Sequence, residues 1–236
     1  MQLFYNPNID ATHRSFIFDK EESKHIVRVL RKKEGDTLKI TNGKGVLFTA
    51  EITVSSDKKC QVAIVDASQK IKSWNYQLHI AVAPTKLNDR MEWFLEKATE
   101  IGIDEITPII CSHSERKVVK MERFEKIVQS AMKQSLKYHL PKINKPVSFK
   151  EFIAIEHSGK SYIAHCDDQQ KSSFKNEIKP NTDITIMIGP EGDFSPSEIK
   201  MALSHNFTPV SLGDSRLRTE TAALVACHSV AFVNEL

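Results

Sequence analysis

From residue 73 onward the chain alternates short apolar runs with helical patterns, and this alternation constrains the fold more than any other feature. Residues 76–82, 106–110, 161–165, 184–188 and 209–212 read as strands. Residues 89–101, 121–138 and 219–233 read as helices, and another opens at Ser195. There Ser195 is the N-cap, Pro196 takes the first helical position and Glu198 closes a capping box. Asp89 and Glu92 have the same box spacing, and Gly102 is a C-terminal stop. Trp93, Phe94, Ala98 and Ile101 lie on one side of that helix. Alternation of this kind predicts an α/β domain with a mostly parallel sheet. Ligands of such sheets bind at the carboxyl ends of the strands.

Residues 1–72 differ in texture. Runs at 16–18, 37–41, 45–52 and 60–65 are β-branched or aromatic, and Glu34-Gly35-Asp36 and Asn42-Gly43-Lys44-Gly45 mark turns. One helix interrupts at 20–30, where His25, Ile26, Val29 and Leu30 can form an apolar face. Several short strands plus one helix suggest a small barrel. A polar stretch at 69–73 reads as a linker, so the expected domains are 1–72 and 73–236.

Two loops near the C-terminal end carry the chemistry. One is Ile188-Gly189-Pro190-Glu191-Gly192-Asp193, and the other is Leu212-Gly213-Asp214-Ser215-Arg216-Leu217-Arg218-Thr219-Glu220-Thr221-Ala222. Each follows a strand and leads into a helix, which makes them two walls of one small-molecule site. Gly189 and Gly192 allow close backbone approach to a ligand, and Pro190 stiffens the turn. Glu220 at a helix N-terminus suits the helix dipole, whereas Arg218 opposes it. Arg218 therefore calls for an anionic partner: a carboxylate, a phosphate or Glu191. Thr219 and Thr221 can cap the helix or bind a ligand.

Charge and cysteine usage narrow the partners. The net charge is only +3, but residues 1–72 hold 13 Lys+Arg against 9 Asp+Glu. A second basic stretch runs from Arg116 to Lys145. Both fit a polyanion as well as a solvated surface. Cys60, Cys111, Cys166 and Cys227 are far apart in sequence, which argues for free thiols in a reducing compartment. No apolar run approaches the roughly 20 residues of a membrane span. Residues 1–7 lack the regions of a signal peptide, so a cytoplasmic protein is expected. There is no GxGxxG, no phosphate loop, no HExxH and no GxSxG, and the histidines lack metal-like clustering.

These loops, with several segments elsewhere, resemble the RsmE family of small-subunit rRNA uridine-N3 methyltransferases, of the SPOUT class. The resemblance runs through His25-Ile26-Val27-Arg28-Val29-Leu30-Arg31 and Gly35-Asp36, then Lys86, Asp89-Arg90-Met91-Glu92 and Lys97-Ala98-Thr99-Glu100-Ile101-Gly102. It continues through Ser114-Glu115-Arg116, Gln134-Ser135 and both loops. It implies an N-terminal PUA-like RNA-binding β-barrel and a C-terminal parallel-sheet domain with a trefoil knot at about 184–222. Physics alone would not propose a knot, because threaded chains are rare. It also implies a homodimer, with Ala222, Ala223, Val225, Ala226, Val230 and Phe232 of the last helix as candidate contacts.

The resemblance further implies S-adenosylmethionine as methyl donor, held by Gly189, Pro190, Glu191, Gly192, Leu212, Gly213, Leu217, Arg218, Thr221 and Ala222, with no metal. It implies 16S rRNA in the small ribosomal subunit as the partner. Arg14, His25, Arg28, Arg31, Lys86 and Arg116 are the expected RNA contacts, with Lys117, Lys120 and Lys133 behind them. Uracil N3 is a poor nucleophile until its proton leaves, so the enzyme must position N3 and stabilise the developing negative charge. Arg218 is the first candidate for that role and Arg216 the second. Glu220 is either the proton acceptor or the group that orients Arg218. The target base must leave its stack to be reached. Asp193 stands where the family often has glycine, Ser215-Arg216 replaces the more usual arginine and isoleucine, and Lys137 lies near a common arginine. Competing readings are a SPOUT enzyme with another rRNA or tRNA target, a non-catalytic RNA-binding or ribosome-assembly protein, and a small-molecule enzyme with an ordinary nucleotide fold.

Overall fold

A computed structural model describes residues 2–166 and 171–235. The chain forms two compact units, one comprising Met1–Ser73 with Met132–Leu140, the other Trp74–Ala131 with Pro141–Leu236.

The first unit holds β1 (Leu3–Tyr5), β2 (Ser15–Ile17), α1 (Lys20–Lys24), β3 (Thr37–Thr41), β4 (Val46–Val54) and β5 (Gln61–Gln69). Its sheet has the order β1-β3-β4-β5-β2, with β1 parallel to β3 and the other pairs antiparallel. Alternating residues such as Leu38, Ile40, Phe48, Ala50, Ile52 and Val62 point inward and meet Phe4, Phe18 and Ile26. Helix α1 starts on Asp19, whose carboxylate accepts the Glu22 N–H at 2.8 Å. It continues into one π-helical stretch, His25–Val29. The wider π turn changes the angular step per residue and moves Val29 off the expected apolar face. Val29 is 67% exposed, while Ile26 is fully buried and Val27 and Leu30 pack on the core.

Residues Met132–Leu140 complete this unit from far along the chain. The Gly45 N–H donates to Tyr138 O, and the Leu140 N–H donates to Gly43 O, each at 2.9 Å. Lys133 Nζ pairs with Glu22 at 2.9 Å. The helix expected at 121–138 ends earlier, as α3 (Met121–Gln134), and Leu136 beyond it adopts a left-handed φ of 55°.

The second unit contains β6 (Leu78–Val82), α2 (Asn88–Ile101), β7 (Glu105–Ile110), the greater part of α3, β8 (Lys142–Ile143), β9 (Val147–Ser148) and α4 (Phe149–Ile153). It continues with β10 (Lys160–Ala164), β11 (Ser172–Ser173), α5 (Phe174–Glu177), β12 (Ile184–Ile188), α6 (Pro196–Ser204), β13 (Thr208–Ser211) and α7 (Thr219–Asn234). The sheet order is β11-β13-β10-β12-β6-β7-β8, with β9 also on β7, and every pair is parallel. Strand β12 sits between β10 and β6, and all five of its residues are buried. A strand buried along its whole length, apolar but for Thr185, is what a sheet covered on both faces requires.

Helix ends follow the sequence where the contacts are local. Ser195 and Glu198 form the expected reciprocal box. The box expected at Asp89 and Glu92 does not form. Leu87 is the N-cap without a side-chain bond, and Glu92 is taken instead by Arg123 of α3. Trp93 is 43% exposed, and the buried face of α2 is Met91, Phe94, Leu95, Ala98 and Thr99. In α7, Ala223, Ala226 and Val230 are buried within the chain's own fold, whereas Phe232 is 65% exposed. Small side chains let α7 lie close to α2, with Cys227 Sγ 4.0 Å from Ala98 O. Of the candidate dimer contacts, Phe232 is therefore the large apolar group open to a partner.

Candidate active site at the carboxyl edge of the parallel sheet

Both glycine loops leave the sheet at its carboxyl edge, one after β12 and the other after β13. Between them lies a cleft with two adjoining lobes. One lobe, about 480 Å³, is lined by His165, Lys171, Val210, Leu212, Gly213 and Asp214 among others. The other, about 260 Å³, is lined by Ile188, Gly189, Pro190, Glu191, Arg218 and Thr219 among others. Ala164, Cys166, Asp193, Arg216, Leu217 and Ala222 line both. The size and the mixture of apolar wall and sparse polar groups suit a small-molecule ligand.

The first loop is held from four directions. Thr219 Oγ1 donates to Gly189 O at 3.0 Å. The Lys86 N–H donates to Glu191 Oε1 at 2.9 Å. His113 Nδ1 lies 2.9 Å from Gly192 O and 3.0 Å from Asp193 O, and because both partners are carbonyls this nitrogen carries the proton. The Cys166 N–H donates to Asp193 Oδ2 at 2.8 Å. Space is tight at Gly189: a Cβ there would meet the Phe194 ring at 3.1 Å, so the ring would have to give way by a few tenths of an ångström. At 213 the requirement for glycine is conformational, with φ at +125° beside the cleft.

Of the residues expected to bind a cofactor, Gly189, Pro190, Glu191, Leu212, Gly213, Leu217, Arg218 and Ala222 line the cleft. Gly192 and Thr221 do not; Gly192 packs against His113 instead. Arg216 and Arg218 are exposed and line it, and Arg218 has no ion-pair partner among the described residues. Glu220 is buried, lies outside both lobes, and faces Arg90 at 3.8 Å rather than Arg218. The wall after β10, with Ala164, His165 and Cys166, is not among the expected site residues. The signal that could have found it is positional, since that strand ends at the same edge as β12.

The expected RNA contacts divide into free and engaged groups. Arg14 and Arg31 are exposed, and Arg31 has a left-handed φ of 56°. His25 Nε2 lies 3.2 Å from Gln2 Nε2. Arg28 bonds Asp57 with Nε at 2.9 Å, and the guanidinium holds that carboxyl below its ordinary range by hydrogen bonding and charge. Lys86 pairs with Glu115 at 2.8 Å, whose hydrogen bond and charge raise the ammonium's pKa. Arg116 donates from Nε to Thr85 O at 3.0 Å and from the guanidinium to Lys86 O at 2.6 Å. It therefore braces the segment that bonds Glu191.

A second cavity of about 550 Å³ opens at the amino ends of the strands. Its polar groups bond one another: His79 to Thr107 at 2.7 Å, and Asn144 to Thr107 and Glu105 at 2.7 and 2.6 Å. An internally satisfied network on the edge away from the glycine loops marks a structural feature, so the carboxyl-edge cleft is the candidate site. Among the described residues no His/Cys/Asp/Glu group is placed to hold a metal, and no helix is long and apolar enough to cross a membrane.

Comparison with known proteins agrees with this geometry. Residues 72–231 match a family model described as an RNA methyltransferase domain, and residues 18–65 match one described as an RNA methyltransferase PUA domain. The class is thus an RNA methyltransferase with a PUA domain ahead of its parallel-sheet domain. The crystal structure of a "probable rRNA-methyltransferase" from Porphyromonas gingivalis is 43% identical, with a TM-score of 0.93 over 99% of this chain and 98% of that one. The ribosomal RNA small subunit methyltransferase E from Neisseria gonorrhoeae, solved bound to S-adenosyl methionine, is 26% identical with a TM-score of 0.86 over 99% and 98%. The ribosomal RNA small subunit methyltransferase E of Buchnera aphidicola subsp. Acyrthosiphon pisum is 31% identical over 92% of this chain and 88% of its own. The chain belongs to the ribosomal RNA small subunit methyltransferase E family, the RsmE family that its motifs resemble.

Proposed function

We propose that this chain transfers the methyl group of S-adenosylmethionine to N3 of a specific uridine in the 16S rRNA of the small ribosomal subunit. The observation that carries the reading is the cleft itself: two glycine loops at the ends of β12 and β13, on either side of β10, with Arg216 and Arg218 on its wall. The fit to the cofactor rests on residues present. The lobes offer apolar surface from Ala164, Val210, Leu212, Leu217 and Ala222 for a flat heterocycle, and glycine backbone for close approach.

When bound, the cofactor supplies an activated methyl group. The chain's own residues must then hold uracil N3 and stabilise the charge that develops as its proton leaves. Arg218 is suited to this because its charge is unpaired among the described residues and borders the cleft. Arg216 is the second such group. Glu220 acts through Arg90 and the first turn of α7 rather than as the proton acceptor, since it is buried away from both lobes.

The same reading assigns rRNA binding to residues 1–72, with exposed Arg14 and Arg31 toward phosphates. Residues 184–222 form its knotted cofactor-binding segment, and two copies pair to complete the sites. The protein works in the cytoplasm, where small subunits are made.

The test is direct. The protein is incubated with methyl-labelled S-adenosylmethionine and intact small subunits, free rRNA or tRNA, and the labelled nucleoside is identified after digestion. N3-methyluridine from the small subunit or its rRNA supports the reading. Label in another nucleoside, or in tRNA alone, overturns the proposed target, and no label in any RNA favours a binding protein.

A further inference from the structure

Asp193 has a left-handed backbone, with φ at +62°. Most side chains avoid this region; aspartate tolerates it because its short carboxylate can bond locally. Here Oδ1 accepts the Phe194 N–H at 2.8 Å, and the Asp193 N–H closes the turn onto Pro190 O at 2.9 Å. Local bonding leaves Oδ2 free to reach elsewhere. It accepts the Cys166 N–H at 2.8 Å, across 27 residues of sequence.

The position of that bond gives it a purpose. Strands β10 and β12 pair in register as far as Ala164 and Ile188. Beyond this pair the two chains part to form the cleft. The Asp193–Cys166 bond lies two residues past the last backbone pair on β10, so a side-chain carboxylate continues the ladder where the backbone no longer can. Both residues line both lobes. The bond therefore sits at the junction of the lobes, where the loop after β12 meets the wall after β10.

We infer that Asp193 is a positioning residue: its carboxylate straps the glycine loop to the end of β10 and holds the two lobes of the cofactor cleft in one fixed shape. This rests on the proposal that the cleft takes S-adenosylmethionine. A ligand spanning both lobes then meets a preorganised site, and loss of the strap weakens binding through the cost of ordering the wall.

Two variants separate the strap from the charge. Asp193→Gly suits the left-handed backbone and so folds, but has no acceptor for the Cys166 N–H. Asp193→Asn tolerates the same backbone and keeps an amide oxygen in place of Oδ2. Hydrogen exchange at the Cys166 amide reads the strap without any cofactor, and calorimetry with S-adenosylmethionine reads the cleft. In Asp193→Gly, exchange at Cys166 accelerates and cofactor affinity falls about tenfold, the loss expected from one hydrogen bond. Asp193→Asn restores both binding and slow exchange. Unchanged exchange and affinity in Asp193→Gly would overturn the inference. So would an Asp193→Asn variant as weak as Asp193→Gly, because charge rather than the strap would then be at work. If the unmodified chain binds no cofactor while Asp193→Gly still exchanges faster at Cys166, the proposed function fails and the strap stands.

Discussion

Arg90 Nε lies 3.8 Å from Glu220 Oε1, joining the first turn of α2 to the first turn of α7. The Glu220 side chain is only 9% exposed, and its Oε2 has no hydrogen-bond partner among the described residues. A carboxylate in that setting needs compensation, which here comes from Arg90 and the positive end of the α7 dipole. Removing the arginine strands the charge. Arg90→Ala should destabilise the fold by about 1–3 kcal/mol. Adding Glu220→Gln in that background should recover part of the loss, because a neutral amide costs less to bury. Urea unfolding of the four proteins in the cycle measures this. Strict additivity, within about 0.5 kcal/mol, would show that the two residues are not coupled.

With Glu220 turned toward Arg90, Arg218 keeps its charge for the cleft. Arg218→Ala should lower kcat for methyl transfer by about a hundredfold, the scale for losing one preorganised group that stabilises developing charge. The effect on cofactor affinity should be smaller. Arg216→Ala should follow the same direction with a lesser fall. Single-turnover assays with labelled donor check both, and normal turnover by Arg218→Ala would remove that residue from the chemistry.

Features set by neighbours in sequence are legible in the chain, and those set by neighbours in space are not. Thr37–Thr41 and Ile184–Ile188 can be read to the residue because composition and turn signals bound them on both sides. The Ser195–Glu198 box forms because both partners lie within one turn. Asp89 and Glu92 have the same spacing, yet Arg123 on another helix captures Glu92. Val29 leaves the apolar face through a π turn that no periodicity rule anticipates. Met132–Leu140 reads as the end of a helix in the second domain, but its backbone bonds go to Gly43 and Gly45. At the site, the glycine loops announce themselves. The wall at Cys166 does not, because it is made of a strand end with ordinary residues and one bond from Asp193.

Arg14 and Arg116 are both expected from sequence to touch RNA, but their surroundings differ. Arg14 is exposed, whereas Arg116 spends its donors on Thr85 and Lys86 carbonyls. Arg14→Ala should weaken rRNA binding and reduce the salt slope of log affinity by roughly 0.7–0.9, the change expected when one phosphate is no longer neutralised. Arg116→Ala should leave that slope unchanged and instead loosen the 84–87 segment that bonds Glu191, raising the KM for the cofactor. Arg116→Lys should not rescue it, since a point ammonium cannot reproduce the planar fork across two carbonyls. Filter binding across a salt series, with cofactor KM measured in parallel, separates the two roles.

The network at the amino ends of the strands should appear in acid stability. Burial pushes the pKa of His79 down from its ordinary 6.5 to about 4, helped by the nearby charges of His157 and Lys142 and opposed by Glu105. The Phe152 ring, with its centroid 5.4 Å away, is part of that burial. Unfolded, the imidazole takes a proton as pH falls through about 6.5; folded, it stays neutral until about 4. Across that window the unfolded state binds more protons, so stability rises with pH by up to about 1.4 kcal/mol per unit. The contribution is complete above the unfolded value and is lost as pH drops toward the folded one. His79→Gln keeps a polar group for Thr107 but cannot titrate, so its stability should fall less steeply between pH 6.5 and 4. His157, whose pKa burial also lowers, should leave a residual slope. Urea unfolding at several pH values compares the two proteins, and an equally steep loss in His79→Gln would show that the acid sensitivity arises elsewhere.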